Sequence, residues 1–168
     1  MIIREEQLKK FSEVLRRGFE DRLFACLKQA LPVHAEKFGD ERTRRAIQLG
    51  VERAAACGIR SEIGTARFVQ LLFLFDRDFE RNPRYPWATQ VMADPGISGD
   101  ARAERLVQSA MSALRAVAAG NARNRPIAGL GGVGLIAADA LAALEAPLEG
   151  LTQDAVGDPV AAPPEGGS

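Results

Sequence analysis

From Glu5 to Leu31, apolar residues recur at Leu8, Phe11, Leu15, Phe19, Leu23, Leu27 and Leu31, with Arg, Lys and Glu at the positions between. Steps of three and four bring side chains onto one side of the backbone only if it is an α-helix. A stripe that long asks for other helices to pack against, so this segment points the whole chain towards an all-α fold. Pro32 ends the stripe, because a proline ring cannot continue a helix through its interior.

The next segments follow the same logic. "PVHAEKFG" reads as a short link to Asp40, the expected N-cap of a second helix running to about Cys57. The apolar side of that helix is Ala46, Ile47, Gly50, Val51, Ala54 and Ala55, residues small enough to let a neighbour come close, and Gly58 suits its end. Ser61 can cap a third helix, with Thr65 as a rival start. Phe68, Leu71, Leu72 and Phe75 keep helical spacing, and the residues between them are also mostly apolar, which predicts a buried central helix. Pro83 and Pro86 interrupt the chain; Pro86 suits the first turn of a short helix, "PWATQVMA". "DPGISGD" is a loop. Asp100 is the expected cap of a last body helix carrying Leu106, Val107, Ala110, Met111, Leu114 and Val117, closed by Gly120. The expectation is an all-α, bundle-like single domain of four to five helices over residues 1–120, large enough for one real core.

The remainder differs in kind. No Phe, Tyr or Trp occurs after Trp87, and residues 121–168 hold five of the nine prolines. This Gly/Ala/Pro-rich extension divides into a Gly-rich link with an apolar helix over 121–151, "LIAADALAALEAPLEGL", and a stretch over 152–168 that reads as disordered. An amphipathic helix can lie in a partner's groove, so the extension's helix is a candidate binding element.

Charge narrows the partners. The 168 residues carry 22 Lys+Arg and 22 Asp+Glu. A net charge of zero speaks against nucleic acid or an acidic membrane surface. The balance hides a mild asymmetry: 20 bases and 16 acids before residue 121, then two bases and six acids. "RR" at 16–17 and "RTRR" at 42–45 have acids interleaved and read as solvated helix faces. Residues 127–144 approach the length of a membrane span, but four glycines and Asp139 argue against one. "MIIREEQLKK" is charged from position 4, unlike a signal peptide, which places the protein in the cytoplasm by default. Cys26 and Cys57 lie within apolar helical patterns and read as small buried hydrophobes rather than a disulfide or a metal pair.

Each chemical motif falls short of its requirements. "GLGGVG" matches G-x-G-x-x-G at Gly129, Gly131 and Gly134, but "NARNRPIA" before it is no strand, and a dinucleotide site needs a βαβ unit. "DRDFE" spaces Asp76, Asp78 and Glu80 like the opening of a calcium loop, yet Arg81 and Trp87 stand where Gly and Glu belong. Those acids are expected to be solvated or paired with Arg77, Arg81 or Arg84. His34, the only histidine, is expected on the surface or in a loop. No catalytic residue, cofactor site or metal ligand is singled out, and the expectation is a non-enzymatic protein. The stretch "FVQLLFLFDRDFERNPRYPW" is the exception worth a binding role. Phe79, Tyr85 and Trp87 can form a rigid corner over the core. With Arg81 and Arg84 at the rim, they are also the residue types enriched at protein-binding hot spots.

Several segments carry a family likeness: "IREEQL" near the start, "GVERAAACGIRSE" at 50–62, "LLFLFDRDFERNPRYPWATQVMADP" at 71–95 and the "ARAERL" helix. Over residues 1–118 the chain resembles small bacterial helical proteins that accompany type VI secretion spike and effector modules. The resemblance implies a cytoplasmic accessory of chaperone or adaptor type, whose partner is a protein: an effector, a spike component or a toxin. It brings no catalytic residues. The extension after residue 120 departs from the family's pattern. Two other readings stand beside it: an immunity protein that binds and occludes a toxin, and a small enzyme using a carboxylate pair, which needs two close acids in one pocket.

Overall fold

Six helices and no β-strand make up the computed structural model over the residues it describes, 4–120 and 134–157. The first helix, α1 (Glu5–Ala30), buries Phe19, Leu23, Phe24 and Leu27, the second half of its stripe. Pro32 ends it and at the same time opens α2 (Pro32–Ala56), because at the first helical position the missing N–H has no intrahelical partner to lose. "PVHAEKFG" is therefore helical rather than a link. The break comes at Gly39, whose φ of 72° glycine alone adopts readily. The Thr43 hydroxyl donates to the Gly39 carbonyl at 2.9 Å. Asp40 follows the break without capping it and pairs with Lys28 at 3.4 Å instead.

The helix α3 (Glu62–Leu74) is capped as the sequence suggests: the Gly64 N–H donates to the Ser61 hydroxyl at 3.0 Å. It is buried nearly all round and touches α1, α2, α5 and α6. Its approach to α2 depends on Gly50, where a Cβ would lie 2.8 Å from Val69 Cγ2 and 2.9 Å from Leu72 Cδ1. The short α4 (Pro86–Ala93) packs on α5 (Gly99–Ala119). Ser98, not Asp100, occupies the N-cap position of α5. The Asp100 carboxylate reaches across instead and accepts the N–H groups of Arg60 and Ser61, at 3.1 and 3.0 Å.

The extension belongs to the domain. Its helix α6 (Ala137–Glu145) buries Ala137, Ala140, Ala143 and Leu144 against α5 and α3. Arg67 of α3 donates to the Leu144 carbonyl at 2.6 Å and to the Ala146 carbonyl at 3.5 Å, placing a cation where the helix leaves its last carbonyls open. This corrects the reading of the helix as a free partner-binding element: its apolar face is already covered. Residues 152–157 are also bound rather than loose. The N–H groups of Glu62 and Ile63 donate to the carbonyls of Asp154 and Thr152 at 2.8 and 3.0 Å, and Ser61 bridges Ala155. Arg22 grips Glu62 with two bonds of 2.8 Å, donates to the Gly150 carbonyl, and the Thr152 N–H shares the same carboxylate. Residue 120 is thus no boundary of the packed core. The Gly-rich link over 121–133 and residues 158–168 lie outside the described residues.

Candidate binding surfaces

The aromatic corner exists, but it divides differently from the expected patch. Phe79 is fully buried, so it is withdrawn from the candidate binding residues. It stacks on Trp87 at 6.1 Å and tilts against Phe68 at 5.3 Å. Phe75 meets Tyr85 and Trp87 edge to face, at 5.3 and 5.0 Å, and the Tyr85 hydroxyl donates to the Phe75 carbonyl at 3.4 Å. Burial pushes the Tyr85 phenol above its ordinary range, Asp76 and Asp78 add to the shift, and Arg84 opposes it. Tyr85 and Trp87 are half-buried, while Arg81 and Arg84 are exposed, with no ion pair among the described residues. Covering the end of the core accounts for the rings; the two arginines are the part turned to solvent.

The larger opening lies on α1. Leu8, Phe11 and Val14 are 43%, 51% and 65% exposed. Phe11 and Val14 sit on the same flank of the helix as Gly18, where a Cβ would meet nothing within 4 Å. Two residues of the stripe, Leu8 and Phe11, are therefore left largely uncovered among the described residues, while Leu15, between them and Phe19, is half-buried. Sequence reasoning assigned Leu8 and Phe11 to the core and overlooked Val14. The signal available was Val14 with Gly18, which widens the stripe just where it leaves the domain.

Two of the acids hold separate segments together. Glu80 is buried and pairs with Arg53 of α2, not with Arg77, Arg81 or Arg84. Asp100 and Glu104 line one groove, a helical turn apart. Burial alone would raise the Asp100 carboxyl, but the Ser61 and Arg60 N–H donors, the Ser61 hydroxyl and the Arg60 charge outweigh it and hold the group low. A general acid needs the opposite shift. His34 corrects a second expectation: it is 1% exposed, edge-on to Phe73 at 6.3 Å, with neither ring nitrogen hydrogen-bonded among the described residues. Burial lowers its pKa, the Phe73 backbone opposes this and Lys37 adds to it. Both cysteines are free and half-buried rather than fully buried. The Cys26 thiol donates to the Glu149 carbonyl at 3.2 Å, and burial pushes both thiols up, away from the reactive thiolate. Among the described residues no group of His, Cys, Asp and Glu is arranged to hold a metal ion, and no helix is long and apolar enough to cross a membrane.

No protein-family model, no curated protein and no solved structure matches this chain.

Proposed function

We propose that the chain is a non-enzymatic cytoplasmic interaction protein, an accessory of chaperone or adaptor type for a type VI secretion effector or spike. The observation that carries the interaction reading is the exposed apolar surface of α1, where Leu8 and Phe11 continue the stripe into solvent with Val14 beside Phe11. The secretion setting is supported by the likeness of segments 50–62 and 71–95. Burying an apolar side chain of this size yields about 2 kcal/mol, and roughly half of that is still available at each of the three positions. A micromolar complex needs about 8 kcal/mol net. The α1 face therefore anchors a partner together with other contacts.

A second reading, an immunity protein occluding a toxin, is favoured by one observation: Arg42, Arg45, Arg53 and Arg77 line a single groove despite the chain's zero net charge. A concentrated charge of one sign steers and orients an oppositely charged partner.

One experiment separates these readings: affinity pull-down of the tagged full chain and of a Phe11→Asp/Val14→Asp variant from the native host, with mass spectrometry. An effector or spike component held by the unaltered chain and lost by the variant supports the accessory role. A toxin, with protection of exposed cells, supports immunity. Equal recovery by the variant contradicts the α1 face, and recovery of no secretion component contradicts the setting.

A further inference from the structure

Along α2, Arg42, Arg45, Ala46, Leu49 and Arg53 succeed one another at helical spacing and form one wall of a groove of about 530 Å³. The other wall is Leu72 of α3 and the turn after it, Asp76 and Arg77. The groove floor is apolar, and Leu49 is 38% exposed within it. Asp76 is the one acid in the lining, and its carboxylate already accepts the Arg77 N–H at 2.8 Å.

The four arginines are held in different ways. Arg53 is anchored by the buried Glu80, which fixes its side chain against the groove floor. Arg45 makes an exposed pair with Glu41 on its own helix. Arg42 and Arg77 are exposed, with no ion pair among the described residues. A guanidinium presents a planar fork that matches a carboxylate with two bonds. From Arg42 to Arg53 the helix rises about 16 Å, with Ala46 and Leu49 in between. A compact anion such as phosphate meets only one end of that span and leaves the apolar floor unused. A peptide of three helical turns covers all of it.

We infer that this groove binds an acidic segment of a protein partner, with one or two apolar residues seated on Ala46, Leu49 and Leu72 and flanking Asp or Glu side chains paired to Arg42, Arg77 and Arg53. Charge complementarity selects the occupant: Arg42 and Arg77 without an ion pair among the described residues, an apolar middle, and Asp76 as the one acid in the lining. The inference rests on the interaction reading and adds a second contact to the α1 face. The two fail separately, because the pull-down is broken at Phe11 and Val14 and the groove at Arg42 and Arg77.

The test is selection of a phage-displayed library of random twelve-residue peptides on the full chain, with parallel selection on an Arg42→Glu/Arg77→Glu variant. Both substituted positions are exposed, and an unchanged melting temperature confirms that the variant folds. The enriched peptides are expected to carry two or more Asp or Glu around Leu, Ile or Phe. Synthetic versions should bind the variant at least about tenfold more weakly, and should weaken as salt is raised. Enriched peptides without acidic excess, equal binding by the variant, or no enrichment at all overturns the proposal. So does a groove that takes decanoate in an arginine-dependent way while selecting no peptide, since that is a site for small amphiphilic carboxylates.

Discussion

Gly58 and Gly99 meet where the turn after α2 crosses the start of α5, and a Cβ on Gly99 would stand 1.7 Å from the Gly58 carbonyl oxygen. Backbone cannot rotate aside as a side chain does, so Gly99→Ala should lower stability by about 2–3 kcal/mol in chemical denaturation, the upper range for overpacking. Gly18→Ala should do the reverse and gain close to about 1 kcal/mol, since its Cβ enters open space within a helix. In sequence Gly99 falls in an expected loop and Gly18 in the first helix, and neither setting shows the close approach at Gly99, which depends on a neighbour remote along the chain. His34 makes the same point for polar groups. Its flanking residues resemble a surface turn, and its burial under Phe73 is a tertiary fact. Because its folded pKa is lowered, the unfolded chain takes up a proton first as pH falls below about 6.5, and stability drops from there. Denaturant melts at pH 7.5, 6 and 5 should show that loss in the unaltered chain and not in His34→Leu. Asp100, also lowered, contributes stability that is lost only further down, as pH falls through the ordinary carboxylate range near about 4.

Among the helices, α3 and α5 were legible because one face or nearly every face is apolar and their ends carry a cap or a glycine. The limits of periodicity show on α1. Leu8, Phe11, Phe19 and Leu23 share one spacing, yet only the last two are covered, because a period says which face is apolar and not what lies over it. Pro32 was legible as a stop but serves equally as a start. The docking of α6 and of residues 152–157 was not legible, since it depends on Arg67, Arg22 and Glu62, which in sequence look like ordinary charged helix residues. Two substitutions measure that docking. Leu144→Ala, which empties a buried position on α6, should cost about 2–4 kcal/mol. Glu62→Ala removes the acceptor shared by Arg22 and the Thr152 N–H and should cost about 2 kcal/mol, with residues 150–156 becoming the first target of added protease.

At the scale of the whole molecule, Arg22, Arg53, Glu62, Arg67, Glu80 and Asp100 hold separate segments together, and two surfaces are left without an occupant among the described residues. One is apolar, at the start of α1; the other is the arginine groove on α2, whose basic run reads in sequence as a solvated face because acids are interleaved with it. The expected patch of Phe79, Arg81, Arg84, Tyr85 and Trp87 is reduced to its exposed rim by the packing of its rings. The claim that the α1 face receives the partner is tested most directly by hydrogen–deuterium exchange of the full chain, alone and bound to the protein recovered in the pull-down. The account predicts that binding slows amide exchange from Glu5 to Gly18, beyond any change at Arg81 to Trp87. Unaltered exchange over Glu5 to Gly18, with protection gained elsewhere on the molecule, would contradict it.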